Sequence, residues 1–160
     1  MELDLSLAHQ ELRLLDDRGE TLSVYRVSTA TNGPGERNGS ECTPRGAHRI
    51  RAKIGTGCPV NTVFRGRRPT GEIYGPALRR RYPHRDWILT RILWLSGLEP
   101  GFNRLGEVDT MRRFIYIHGA PEEDLMGVPS SHGCVKMRNH DVLELFDRIP
   151  PGTPVNIRDE

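Results

Sequence analysis

The sequence lacks any uninterrupted apolar run of about 18 residues, the length that a membrane-spanning helix requires. Its N-terminal stretch also lacks the apolar core of a signal peptide, because charges at Glu2, Asp4, Glu11 and Asp16 interrupt it. From these two absences we expect a protein with no membrane span and a cytoplasmic location. A leader removed from the N-terminus would change the expected location to the periplasm.

Cysteine is scarce: Cys42, Cys58 and Cys134 are the only three, and no CxxC pair occurs. An odd, sparse set of this kind is not the framework of a disulfide-stabilised domain. The sequence leaves open whether Cys42 and Cys58 pair or remain free thiols. A chain of 160 residues buries enough surface to fold without such cross-links.

Acidic residues are nearly absent from the middle of the chain. Segment 45–91 contains twelve Lys and Arg residues but only Glu72 and Asp86, so its net charge is +10 and that of the remainder is −8. Such a segment favours an anionic partner. A nucleic-acid-binding module is therefore one alternative. We nevertheless expect no nucleic-acid partner, because the segment has few aromatic residues and no recognisable oligonucleotide-binding motif.

The residues that are present predict a single, mainly β domain spanning 1–160 and having long loops. Leucines alternate in the first 14 residues, a pattern typical of a hairpin that is buried on one face. The runs DWILTRILWLSG and RRFIYIHG have the composition of buried strands, and 153–157 supplies a last short strand. Segments 32–46 and 55–75 are rich in glycine, proline and polar residues, and we expect both to be loops. The second of them is a candidate lid.

One short helix is predicted after Cys134. Asn139 has the character of an N-cap residue, and apolar residues follow at helical spacing up to Pro150 and Pro151, where the helix stops. The apolar positions are Val142, Leu145, Phe146 and Ile149.

The stretch SSHGCVKM, residues 130–137, carries the strongest chemical signal. A lone cysteine is most often a buried apolar side chain, but the polar, glycine-containing approach to Cys134 is unlike a core strand. A metal site is a second interpretation, with His118, His132 and His140 as further ligands. Structural zinc sites use paired ligands at short spacings that this chain lacks, so we expect no metal and no other cofactor.

A nucleophilic cysteine with a histidine base is the third interpretation. The reactive species is the thiolate, and a neighbouring imidazolium lowers the pKa of the thiol. His118 is the better partner for Cys134, because it ends a predicted strand and precedes Gly119, where the chain can turn. His132 flanks the cysteine, but adjacent residues of a strand point to opposite faces, so we expect one histidine and not two to reach the thiol. Amides beside Gly133 would face a developing oxyanion.

The segment IHGAPEEDLMGVPSSHGCVKM, residues 117–137, closely resembles the signature of the L,D-transpeptidase (YkuD-like) catalytic domain, in which His-Gly after a strand precedes Ser-His-Gly-Cys. CTPRGAHRI, residues 42–50, is similar to the upstream element of that family. The resemblance implies an antiparallel β-sandwich with a short helix. It also implies Cys134 as nucleophile, His118 as general base, the Gly119 carbonyl as orienting group, and a pocket shaped by Ser131, His132 and Gly133, whose amides would form the oxyanion hole.

The family's substrates imply peptidoglycan stem peptides or muropeptides as partners of a monomeric enzyme. Cleavage would fall between the L-centre of diaminopimelate and terminal D-alanine, through an acyl-enzyme. The family commonly has arginine two residues after the cysteine, where this chain has Lys136, and Arg138 is the nearest arginine that would substitute in substrate binding. Hydrolysis of the acyl-enzyme would make a cytosolic L,D-carboxypeptidase of murein recycling, which we favour here. Transfer to an amine would make a periplasmic cross-linking transpeptidase.

Overall fold

A computed structural model describes residues 1–160. The chain forms ten strands and two α-helices. The strands are β1 Glu2–Ser6, β2 Glu11–Leu15, β3 Thr21–Ser28, β4 Gly46–Ile54, β5 Thr62–Arg65, β6 Arg68–Ile73, β7 Ile88–Gly97, β8 Tyr116–Gly119, β9 Val135–Met137 and β10 Pro154–Arg158. The helices are α1 Pro76–Arg81 and α2 Asn139–Arg148, and Gly106–Val108 forms one 3-10 turn. Neither helix has the length and apolar composition that a membrane span requires.

All ten strands belong to one sheet, in the order β4-β10-β1-β2-β3-β9-β8-β7-β5-β6. Strand β7 also pairs with β4, so eight strands close into a ring and the β5–β6 hairpin extends from it. The expectation of a mainly β fold agrees with this architecture, but the sheet is continuous where a sandwich of two sheets was expected. The reason is the length of β7, whose ten residues pair with β4, β5 and β8.

The core fills the inside of the closed sheet. Leu3 and Leu5 of β1 and Leu12 and Leu14 of β2 are completely buried, as their alternation predicts. Helix α2 contributes Val142, Leu145 and Phe146 to the same cluster of 20 buried apolar residues. Burying an apolar side chain of this size contributes about 1.5–3 kcal/mol, so this cluster is the main source of stability.

Two segments differ from the sequence predictions. Segment 55–75 contains the β5–β6 hairpin where a loop was expected. Helix α1 was not expected, because the sequence predicts only the helix after Cys134. The strands of the hairpin are short, and β6 is mostly exposed, so neither shows a buried alternation. Helix α1 has only six residues and buries none of them completely, which leaves it without an apolar pattern.

The start of α2 also differs in detail. The N-cap residue is Arg138, and Asn139 is already helical. Asn139 is buried because its carboxamide forms tertiary hydrogen bonds, and it therefore does not cap the helix as expected.

Candidate active site

Cys134 lies immediately before β9, at the end of the 130–133 turn. Gly133 has φ +129, a conformation that residues with a Cβ rarely adopt. It also packs closely, since a Cβ there would lie 3.1 Å from Cδ1 of Ile115 and 3.2 Å from the carbonyl oxygen of Cys42. Glycine before the cysteine is thus required by both conformation and space. Cys134 as a whole residue is partly exposed, and it lines a pocket of about 370 Å³.

His118 lines the same pocket from β8, which pairs in parallel with β9. The side chain is almost completely buried. Its Nδ1 lies 2.6 Å from the carbonyl oxygen of Gly119, and because a carbonyl only accepts hydrogen bonds, Nδ1 carries the proton of the neutral ring. Nε2 is therefore the atom with a free lone pair, as a base requires.

The electrostatics of the pair differ from the expected thiolate–imidazolium form. Burial raises the pKa of Cys134 to about 12, although the backbone amide of Tyr116, which donates to Sγ at 3.3 Å, acts against this shift. Burial also lowers the pKa of His118 below its ordinary value. Desolvation penalises both charged forms, so both pKa shifts favour a thiol and a neutral imidazole over a thiolate–imidazolium pair.

The 130–133 turn is braced by hydrogen bonds that decide which amides are free. The amide of Ser131 donates to the Thr29 carbonyl at 2.9 Å, and that of Gly133 donates to Ser131 Oγ at 3.2 Å. Ser131 Oγ in turn donates to the Cys134 carbonyl at 2.6 Å. Two of the three amides expected to form an oxyanion hole are thus already used. The amides of His132 and Cys134 have no acceptor within the chain.

The remaining predicted residues divide into two groups. Ser131 and exposed His132 line the pocket beside Cys134 and His118. Lys136 lies outside it, in a neighbouring cleft, where its Nζ forms an ion pair with Asp124 at 3.1 Å. Arg138 lines neither cavity. The structure thus does not bring the two predicted cationic substrate contacts to the thiol.

Among the pocket residues that the sequence analysis missed, four have polar or charged side chains: Arg67, Asp86, Arg113 and Tyr116. The guanidinium of Arg113 donates to the carbonyl oxygens of Gly35, Glu36 and Cys42, and so fixes a loop from a distant part of the chain against the pocket. Asp86 had one usable signal, since it is one of only two acids in the basic segment. Arg67 lies far in sequence from Arg113 and Tyr116, and these three residues meet at the pocket only because the sheet closes.

The other chemical interpretations find no support in the geometry. No group of three or more His, Cys, Asp or Glu side chains is arranged to hold a metal ion. His140 is exposed, and its Nε2 lies 3.0 Å from Asp141. All three cysteines, Cys42 and Cys58 included, are free thiols.

Comparison with known proteins finds one family over nearly the whole chain. The family model of the L,D-transpeptidase catalytic domain, YkuD, matches residues 2–157. Among curated relatives, YbiS of Escherichia coli K12 is 44% identical over 48 residues, which are 30% of this chain and 16% of that protein. YqjB of Bacillus subtilis is 42% identical over 60 residues, or 38% and 32% of the two chains. Both relatives are named as L,D-transpeptidases.

Solved structures share the fold. L,D-transpeptidase 3 of Mycobacterium tuberculosis, in complex with a faropenem-derived adduct, superposes with a TM-score of 0.60 at 15% identity, covering 98% of this chain and 59% of that one. The Xylanimonas cellulosilytica L,D-transpeptidase gives 0.57 at 19% identity, covering 98% and 59%. The chain thus spans well under two thirds of the length of these relatives.

Proposed function

The chain belongs to the family of L,D-transpeptidase catalytic domains, and we propose that it is a cysteine acyltransferase that acts on peptidoglycan stem tetrapeptides. One observation carries the proposal. Cys134 and His118 line a single pocket, and the bond from Nδ1 to Gly119 leaves Nε2 as the base. In this proposal Cys134 attacks the carbonyl of the diaminopimelate L-centre, and terminal D-alanine leaves.

The reaction begins from the neutral pair. As Sγ of Cys134 attacks, its proton passes to Nε2 of His118, so a buried charge forms only as the carbon–sulfur bond forms. The oxyanion of the tetrahedral intermediate lies against the free amides of His132 and Cys134. Collapse of the intermediate breaks the carbon–nitrogen bond, and His118 returns the proton to the amine of D-alanine. A thioester on Cys134 remains.

We propose water as the main acceptor of this acyl group, which makes the protein an L,D-carboxypeptidase. Partial exposure of Cys134 supports this outcome, because solvent reaches the thioester. The second candidate is transfer to an amine of another stem peptide. Asp86 favours it, since this carboxylate lines both the Cys134 pocket and the cleft beyond His132, forms no ion pair within the chain, and would attract an ammonium group.

Mass spectrometry of products from a defined tetrapeptide, with and without an amine acceptor, tests both outcomes. We expect D-alanine and tripeptide as the main products, and no product from Cys134→Ala. Cys42→Ser is the matched control and retains turnover, because its thiol does not line the pocket. Cross-linked dimers as the main product would show that transfer to an amine, and not hydrolysis, is the main reaction. Turnover by Cys134→Ala would refute the role of Cys134 as nucleophile.

We also propose the cytosol as the site of action, where free tetrapeptides released by wall turnover would be trimmed. Hydrolysis without an amine acceptor is the activity suited to that role. Fractionation of cells that express the full-length gene product tests this location. Recovery in the periplasm would favour the cross-linking role.

A further inference from the structure

Arg67 occupies an unusual position at the rim of the Cys134 pocket. Arg65 pairs with Arg68 across the β5–β6 hairpin, so Gly66 and Arg67 form its two-residue turn. Both have positive φ, +56 and +64, as in a type I′ turn, where glycine or asparagine is the usual choice. An arginine held in this conformation is strained, because its Cβ crowds the following carbonyl oxygen. Strain of this kind is typical of functional positions.

The guanidinium of Arg67 packs against two aromatic rings, and few of its N–H groups donate hydrogen bonds within the chain. Its Cζ lies 4.8 Å from the ring centroids of both Trp94 and Phe114. Its only hydrogen bond is from Nη1 to the hydroxyl of Tyr116, at 3.0 Å. None of the ion pairs of the chain includes Arg67. Most of its five N–H donors are therefore available, and they point within the plane where a carboxylate binds.

The other charges of the pocket leave this role to Arg67 alone. Arg113 also lines the pocket, but its guanidinium already donates to three carbonyl oxygens and to Ser40 Oγ. Asp86 is anionic and repels a carboxylate. Tyr116 connects Arg67 to the reaction centre, because its hydroxyl contacts the guanidinium and its amide contacts Sγ of Cys134.

We propose that Arg67 is the subsite for the terminal carboxylate of the peptide whose carbonyl Cys134 attacks. The inference rests on the proposed function for its donor, in which the scissile bond lies one residue before a free carboxylate. The scissile carbonyl and the free carboxylate of such a donor are about one residue length, ~3.8 Å, apart, and Arg67 and Cys134 line the same pocket. Arg67 thereby selects donors that end in a free carboxylate, whether water or an amine accepts the acyl group.

A pair of substrates tests this selection: the tetrapeptide as its free acid and the same peptide as its C-terminal amide. We expect the native enzyme to have a higher kcat/KM for the acid by about 10-fold or more, the value of a charge-assisted hydrogen bond. Arg67→Gln removes this preference, and Arg67→Lys restores part of it. Arg68→Gln is the matched control, since Arg68 is exposed on the same hairpin and does not line the pocket.

A second measurement separates failure of this inference from failure of the proposed function. Iodoacetate and iodoacetamide alkylate a thiol by the same displacement but differ in charge, and the Cys134 peptide reports each rate by mass spectrometry. We expect the ratio of the iodoacetate rate to the iodoacetamide rate to fall in Arg67→Gln and to remain unchanged in Arg68→Gln. This readout requires no peptide substrate.

The outcomes are distinct. An unchanged acid preference or an unchanged alkylation ratio in Arg67→Gln overturns the carboxylate subsite. A fall in the alkylation ratio without cleavage of either peptide supports the subsite and refutes the proposed substrate. Arg67→Gly guards against misfolding, because glycine suits the turn conformation and yet removes the cation. It must show the same loss of selectivity as Arg67→Gln.

Discussion

The hydroxyl of Thr90 donates a 2.5 Å hydrogen bond to the side-chain carbonyl of Asn139 directly behind Gly119. Thr90 lies in a bulge of β7. Leu89 pairs with Gly119 and Ile92 pairs with the adjacent residue His118, so Thr90 and Arg91 are extra residues in β7 without partners in β8. The φ of Thr90 is +75, a strained value for a β-branched residue. The bulge and Asn139 together form the wall against which Gly119, and hence the His118 ring, is held.

We expect Thr90→Val to lower the free energy of unfolding by about 1–3 kcal/mol, because a buried hydrogen-bond partner is lost at nearly constant volume. It should also lower kcat more than it raises KM, since Gly119 and the imidazole lose their fixed position. Thr90→Ser keeps the hydroxyl and should retain most of kcat. Denaturant titration and steady-state kinetics measure the two effects, and equal kinetics for the Val and Ser variants would contradict the positioning role.

The pH profile of kcat/KM should show the neutral pair of Cys134 and His118. Because burial lowers the pKa of His118, the acid limb is expected below ~6.5, the ordinary histidine value. The raised pKa of Cys134 means that no alkaline limb appears between pH 8 and 9. A thiolate–imidazolium pair would lose activity in that alkaline range.

His118→Gln should lower kcat/KM by about 10²- to 10⁴-fold, the usual contribution of a general base.

Arg113 should increase the reactivity of Cys134. Its charge lowers the pKa of the thiol, acting against burial. Arg113→Met is therefore expected to slow alkylation of Cys134 by iodoacetamide at fixed pH and to shift the rate profile to higher pH. Arg113→Lys, which keeps the charge, should recover part of the rate. Arg112→Met is the control on the exposed neighbouring residue, and an equal effect in that variant would contradict a local charge effect.

His48 should make the fold sensitive to acid. Burial lowers its pKa to about 4, while its ring bonds to the Gly46 carbonyl and the Thr110 hydroxyl. Between pH 6.5 and 4 the unfolded chain binds a proton at this residue that the native chain does not, so stability falls as the pH falls. The loss for His48 is about 3 kcal/mol across this window.

The difference in free energy of unfolding between pH 7 and pH 4 measures this effect of His48. It should be smaller in His48→Gln than in the native protein. His140→Gln, at an exposed histidine, should leave it unchanged. A difference that His48→Gln does not reduce would show that other groups govern the acid response.

The sequence was informative where the pattern is local. The alternation of Leu3, Leu5, Leu12 and Leu14 predicted β1 and β2, because one face of that hairpin is buried. The apolar run that became β7 predicted a buried strand for the same reason. The motif around Cys134 identified a candidate nucleophile from residue types alone.

The sequence was uninformative where structure depends on distant pairing. Closure of the sheet rests on β4 meeting β7, about 40 residues apart, and no local pattern records that pairing. Arg67 and Arg113 reach the pocket only after closure, so neither appeared as a site residue. Lys136 is the reverse case: its place in the motif predicts a substrate contact, and in the structure its Nζ forms an ion pair with Asp124.

The attachment of the β5–β6 hairpin has a consequence for how such enzymes diverge. Strand β6 pairs only with β5, and β5 joins the closed ring through two residue pairs, Val63 with Leu89 and Phe64 with Ile88. The hairpin is thus an appended module, and its turn residues contribute little to the core. Exchanging that turn is a short evolutionary or engineering step, because it alters which molecules are accepted while the chemistry at Cys134 is inherited intact.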